Sequence, residues 1–216
     1  MARPLRVAAL ASGRGSNLAA LIAARDAGRL PIEFTLVGSD RAQAGALGVA
    51  TAAGIPTLAL NPKDYPSRAA FDAALFDRIA QSGAELLVLA GFMRIVDAAV
   101  VSAWEGRAIN VHPSLLPKYR GLHTHRRCLE AGDAEHGASV HYVTAELDGG
   151  PVVAQARIAV RPGDTEADLA ERLLVEEHKL LPAVVGAIAM GRLRWQDGPV
   201  FDEAPLTRPL DLGELL

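Results

Sequence analysis

The chain reads as an α/β protein on a doubly wound, mostly parallel sheet, with helices on both faces and a C-terminal strand and helix extension. Three observations predict it. Short apolar runs alternate with alanine- and leucine-rich helical stretches through the first half. The run Leu86 to Ala90 is apolar at every position, as a parallel strand covered on both faces requires. The first apolar run leads at once into a glycine-rich turn and a helix. Alternation of this kind implies right-handed crossovers and a Rossmann-like layout.

Taken in order, Val7 to Ala11 is the first strand, and Leu18 to Ala24 has the alanine and leucine density of a helix. Glu33 to Gly38 is β-rich, Ala42 to Ala53 is alanine-rich, and Ile55 to Leu60 is a short apolar segment closed by Asn61-Pro62. Ser67 is placed as the N-cap of the next helix, where Phe71, Leu75 and Ile79 recur on one face until Gly83 ends it. Leu86 to Ala90 and Ala108 to Val111 are the next strands. The last third departs from the pattern, because Ser139 to Val143 and Pro151 to Val160 read as strands joined only by a loop. A long helix follows. Thr165 and Asp168 give it a capping-box-like start, and Leu169, Leu173 and Leu180 point inward before Pro182 interrupts it. Leu193 to Trp195 and Pro199 to Phe201 flank Asp197-Gly198 as a small hairpin. The tail beyond, with Pro205 and Pro209, is expected to be irregular. No repeat or linker divides the chain, so residues 1–216 are expected to form a single domain.

Bulk properties exclude several functions. The chain has 216 residues, half of them hydrophobic, enough for one substantial core. A formal net charge of -3 gives no global attraction to a polyanion, which argues against nucleic acid as partner. A single cysteine, Cys128, makes no intramolecular disulfide and no cysteine pair for zinc, which suits a reducing cytoplasm. No stretch approaches the roughly 18 to 20 apolar residues of a membrane span, and Met1 to Arg6 is too short and polar for a signal peptide. Small molecules are therefore the expected partners, with monomer and homodimer both open.

Three constellations carry chemistry. The first turn, Ser12-Gly13-Arg14-Gly15-Ser16-Asn17, permits close backbone approach and precedes a helix N-terminus, which suits a phosphate. It is not a dinucleotide fingerprint, since Leu18 stands where the third glycine would fall. A tight turn that merely caps a helix explains the same residues. The second constellation is Asn110-Val111-His112-Pro113-Ser114-Leu115-Leu116-Pro117, at the carboxyl end of a predicted strand, where open α/β sheets bind ligands. Strand alternation places Asn110 and His112 on one side, so a carboxamide and an imidazole converge. The third is Glu146-Leu147-Asp148-Gly149-Gly150-Pro151, a turn presenting an aspartate. An Asp148 that reaches His112 would favour the imidazolium and raise its pKa, giving a proton donor near neutral pH.

The Gly15-Ser16-Asn17 turn, Ala90-Gly91-Phe92-Met93-Arg94, the Asn-x-His-Pro-Ser-Leu-Leu-Pro run and the Leu-Asp-Gly-Gly-Pro turn occur in that order. Together they strongly resemble the 10-formyltetrahydrofolate-dependent formyltransferases, over nearly the whole chain. The first motif narrows the resemblance to the branch that formylates glycinamide ribonucleotide. It implies that 10-formyltetrahydrofolate is the formyl donor and that the nucleotide's amino group attacks directly, through a tetrahedral intermediate, without a metal. It further implies that Asn110, His112 and Asp148 are catalytic, and that Gly15, Ser16, Asn17 and Glu177 hold the ribonucleotide. Arg68, Leu89, Met93, Arg94, Ile95, Val96, Asn110, Thr144, Ala145, Glu146, Leu147 and Asp148 are the implied folate contacts. Residues 1–110 form the nucleotide half and 111–216 the folate-binding and catalytic half. The apolar members of the set also suit ordinary core.

Relatives that formylate methionyl-tRNA carry a further C-terminal domain, and hydrolase relatives an N-terminal one; neither is expected here. A non-catalytic nucleotide-binding module would explain the first turn but leave Asn110, His112 and Asp148 without a role. His123-Thr124-His125 lacks a cysteine or a suitably spaced carboxylate and is not read as a metal site. Lys118, Arg120, Arg126 and Arg127 make a basic loop, solvated by default and placed to close over anionic substrates. Arg120 stands where the family often has proline.

Overall fold

The computed structural model describes residues 3–216. The elements along the chain are β1 (Leu5–Leu10), α1 (Ser16–Asp26), β2 (Ile32–Ser39), α2 (Gly45–Ala52), β3 (Thr57–Ala59), α3 (Arg68–Gln81) and β4 (Leu86–Leu89). There follow α4 (Ala98–Ser102), β5 (Ala108–His112), α5 (Thr124–Ala131), β6 (Glu135–Tyr142), β7 (Val152–Ala159) and α6 (Glu166–Ala189). The last elements are β8 (Leu193–Trp195), β9 (Pro199–Phe201), β10 (Ala204–Pro205), β11 (Leu210–Asp211) and α7 (Leu212–Leu215). The main sheet has eight strands in the order β11-β7-β6-β5-β4-β1-β2-β3. Strands β1 to β5 pair in parallel, whereas β6 is antiparallel to both β5 and β7. The mostly parallel expectation holds; the loop-joined pair β6 and β7 is antiparallel as the changed connection implied, and β6 is antiparallel to β5 as well, although α5 lies between them.

Period-two alternation divides each central strand between two cores. Val7 and Ala9 of β1, with Leu86 and Val88 of β4, join the core under α1, α2 and α6. Ala8 and Leu10, with Leu87 and Leu89, face Phe71, Leu75 and Ile79 of α3 on the other side. Helices thus cover both faces, and truncating a fully buried leucine such as Leu75 to alanine would cost about 2–5 kcal/mol. The Ser67 hydroxyl accepts from Ala70 N–H at 3.1 Å, and Thr165 with Asp168 forms a complete capping box.

Two expectations fail. Pro182 does not interrupt α6, which continues to Ala189. The lost backbone donor is outweighed because Leu180, Leu181, Val184 and Val185 around it are all fully buried. The tail is not irregular: Leu210 and Asp211 add a parallel edge strand to β7, and Asp211 with Glu214 caps α7. The hairpin across Asp197-Gly198 forms as β8 and β9, with β10 added beside β9 in a separate small sheet. No helix among the described residues is long and apolar enough to cross a membrane.

Candidate active site

Strand β5 delivers Asn110 and His112 to the carboxyl edge of the sheet, and the turn between β6 and β7 delivers Asp148. Asp148 has a φ of 48°, a left-handed conformation that an aspartate tolerates better than a branched residue. Gly150 fixes the turn, since a Cβ there would lie 1.9 Å from the Tyr142 carbonyl oxygen. The result is a compact cluster. Asp148 Oδ2 lies 3.5 Å from His112 Nδ1, and its Oδ1 lies 3.6 Å from His141 Nε2. The carboxylate also accepts the Gly121 N–H at 2.9 Å, tying the turn to the loop after β5.

His112 is buried, and its Nε2 lies 3.0 Å from the Tyr119 carbonyl oxygen. Both of its ring nitrogens therefore face acceptors, an arrangement that suits the imidazolium. Burial wins nonetheless. Desolvation holds the His112 pKa below its ordinary value, against the opposing pull of the Tyr119 carbonyl and Asp148. The expectation that Asp148 would raise that pKa is thus corrected for the ligand-free site: the aspartate reaches the histidine, but its effect is the smaller one. For Asp148 itself burial pushes the pKa up, and His141, the Gly121 N–H and His112 together bring it below the usual carboxylate value.

His141 is a functional neighbour that sequence reasoning missed. It pairs with Asn110 across the antiparallel β5–β6 ladder, and Asn110 Nδ2 lies 3.1 Å from its Nε2. His141 Nδ1 lies 2.9 Å from the Tyr142 carbonyl oxygen, and in the tautomer that donates there Nε2 accepts from Asn110. The available signal was alternation along β6, which places Ser139 and His141 on one face.

Two cavities meet at this cluster. One, of about 530 Å³, is lined by Met93, Arg94, Ile95, Asn110, His112 and Asp148, among others. The other, of about 90 Å³, is narrower, and its apolar walls are Leu89, Phe92, Ile95, Val96 and Val143. Its floor is the turn Thr144 to Asp148. All but one of the residues read as folate contacts thus line one cavity or the other. Arg68 lines neither; it opens α3 on an exposed face. Arg94 stacks its guanidinium 4.8 Å from the Phe71 ring centroid.

The turn read from the sequence as a phosphate site lies at the N-terminus of α1. Gly15 has a φ of 81°, and a Cβ on it would come within 2.6 Å of Ala46 Cα, so glycine is required by α2 as well as by the turn. Asn17 Nδ2 donates to Glu177 Oε2 at 2.7 Å, which joins residues predicted separately from α1 and α6. Both are buried, and Asn17 Oδ1 has no hydrogen-bond partner among the described residues. Burial raises the Glu177 pKa, while the Asn17 amide opposes that shift.

The basic loop is pinned rather than free. Lys118 pairs with Asp133 at 2.7 Å, Arg126 with Glu166 at 2.7 Å, and Arg120 with Glu146 of the turn. His123 is exposed, whereas His125 Nδ1 lies 2.9 Å from His136 Nε2. No group of three or more His, Cys, Asp or Glu side chains among the described residues is placed to hold a metal.

Known proteins resemble this chain along most of its length. A family profile described as formyl transferase matches residues 5–185. The chain belongs to the formyl transferase family. It is 46% identical over 200 residues to phosphoribosylglycinamide formyltransferase of Escherichia coli, covering 90% of this chain and 94% of that protein. It is 44% identical over 202 residues to the trifunctional purine biosynthetic protein adenosine-3 of Drosophila pseudoobscura pseudoobscura, of which it spans 15%. The solved phosphoribosylglycinamide formyltransferase of Coxiella burnetii, in complex with CHES, superimposes with a TM-score of 0.92 at 45% identity, over 96% of this chain and 99% of that one. In this formyl transferase the Asn110–His112–Asp148 cluster therefore occupies the sheet edge of a formyl-transferring fold.

Proposed function

We propose that the chain transfers the formyl group of 10-formyltetrahydrofolate to the amino group of glycinamide ribonucleotide, in the cytoplasm, as a step of purine synthesis. The observation that carries this reading is the convergence of Asn110, His112 and Asp148 where two cavities meet, with a phosphate turn on the same sheet edge. The narrow cavity fits a flat pterin: its walls are apolar, and the backbone of Thr144 to Asp148 offers a hydrogen-bonding edge. The turn Gly15 to Asn17 holds the nucleotide phosphate on α1's N-terminal N–H groups, and Glu177 receives the glycinamide side. Arg68, outside both cavities, is left to the solvent-facing end of the folate. Under this reading residues 1–216 work as one domain, with the nucleotide held by the first 110 residues and the catalytic set by the rest.

The formyl donor supplies an acyl carbon that the nucleotide's amine attacks. Asn110 Nδ2 donates one hydrogen to His141 and has its second free for the oxygen on which negative charge develops. His112 Nε2, which lies on the Tyr119 carbonyl in the ligand-free site, exchanges that acceptor for the same oxygen and donates its N–H there. Largely neutral before reaction, the imidazole gains proton affinity as that charge grows beside it, and Asp148 adds to the effect. Asp148 also fixes the ring and, with neutral His112, offers an acceptor for the amine proton, which is passed to the folate nitrogen as the intermediate collapses and the bond from the formyl carbon to that nitrogen breaks. No thiol or other covalent nucleophile is used.

The test is incubation of the pure protein with 10-formyltetrahydrofolate, with and without glycinamide ribonucleotide. Deformylated folate should appear only when the nucleotide is present. Equal release without it would favour a hydrolase, and no release with it would remove the reading.

A further inference from the structure

A third cleft, of about 640 Å³, opens at the carboxyl ends of β1 and β2. It shares no residue with the two cavities above and none with Gly15, Ser16, Asn17 or Glu177. Its polar lining is Ser12, Arg14, Asp40, Arg41, Gln43 and Asn61. Asp40 is the unusual member. It is only 8% exposed, directly follows β2, and its buried Oδ1 has no hydrogen-bond partner among the described residues. Native proteins rarely leave such a group unsatisfied, so the carboxylate calls for donors from outside the chain. Arg14 and Arg41, exposed at the same cleft, take part in no ion pair among the described residues. An enclosed acceptor thus lies beside two free cations.

A ligand that satisfies both has hydroxyl donors at one end and a phosphate at the other. In doubly wound sheets, an acidic residue after the second strand, roughly 20 residues beyond the first glycine turn, binds a ribose hydroxyl. Asp40 occupies that place. A dinucleotide is disfavoured, because fully buried Leu18 replaces the glycine that lets helix and strand approach closely. We propose that this cleft binds a ribonucleoside 5′-monophosphate as a second ligand, its ribose hydroxyls donating to Asp40 and its phosphate accepting from Arg14 and Arg41. The bidentate guanidinium geometry suits that phosphate.

The probe is adenosine 5′-monophosphate, titrated calorimetrically into the full chain without and with saturating glycinamide ribonucleotide. Saturable binding should persist in both conditions. Asp40→Asn should weaken it about 10-fold or more, and 2′-deoxyadenosine 5′-monophosphate should bind the unaltered chain similarly poorly. Arg41→Ala, an exposed change that leaves the fold intact, should weaken the nucleotide and inorganic phosphate alike, whereas Asp40→Asn should leave inorganic phosphate no weaker. Absence of saturable binding, displacement of the probe by glycinamide ribonucleotide, or unchanged affinity in both Asp40→Asn and Arg41→Ala would overturn the proposal. None of these readouts depends on formyl transfer.

Discussion

Asn110 and His141 face each other across the β5–β6 ladder, with the Asn110 amide nitrogen 3.1 Å from His141 Nε2. The contact bears on which way the carboxamide points: in the tautomer whose Nδ1 donates to the Tyr142 carbonyl, Nε2 accepts from the Asn110 amide. That tautomer commits the Asn110 nitrogen, rather than its oxygen, to the cavity side where an oxyanion needs a donor.

Replacing His141 with alanine should therefore free the Asn110 amide to rotate. Misplacing a donor in this way lowers turnover, and a loss of about 10²-fold in kcat is expected with little change in either KM. Steady-state kinetics of a folded His141→Ala protein checks it. A KM effect without a kcat effect would assign His141 to binding instead.

Gly15→Val should raise the KM for glycinamide ribonucleotide. The side chain strains a φ of 81° and collides with Ala46 as well as obstructing the phosphate, so some stability is lost too. Kinetics at a temperature where circular dichroism shows a folded protein separates the two effects. An unchanged KM would place the phosphate elsewhere.

Cys128 is buried, its Sγ lies 3.6 Å from the Glu135 carbonyl oxygen, and burial raises its pKa. The thiol is thus held protonated and away from both cavities. Cys128→Ser should retain most turnover. Loss of activity in a folded variant would argue for a covalent route.

Acid should destabilise the protein before its carboxylates titrate. Burial pushes His136 down to about 4 and lowers His125 beside it. The unfolded chain takes up these protons first, near the ordinary histidine value of roughly 6.5. Stability from the neutral pair is therefore complete above that pH and falls as pH drops from about 6.5 toward 4. Thermal melts across this window should show the decline, and His136→Gln should flatten it. An unchanged slope in that variant would place the acid sensitivity elsewhere.

The fold was legible wherever local pattern and packing agree. The fully apolar run at β4 and the Ser67 and Thr165 caps announce themselves, and the structure keeps them. Pro182 misled because its cost is local while the packing that offsets it comes from the sheet. The last strand, β11, was hidden because two residues show no period, and pairing with β7 alone defines them. In the site, Asn110 and His112 followed from one strand's alternation. His141 did not, since its importance depends on the register between β5 and β6. Nor did the depressed pKa of His112, which depends on burial by the loop that carries Tyr119 and Gly121.

In the proposed mechanism Asp148 acts on the reaction through His112. Asp148→Asn preserves the size of the side chain and leaves an oxygen to accept the Gly121 N–H, so the turn should survive. The charge that favours the imidazolium disappears, and the His112 pKa, already held low by burial, should fall further. Because the lost interaction strengthens as charge develops, kcat and kcat/KM should drop together by about 10²-fold or more while substrate affinity changes little. NMR titration of His112 alongside steady-state kinetics of Asp148→Asn measures both. A lowered titration with collapsed turnover is the predicted result; near-normal turnover with an unmoved histidine would contradict the account.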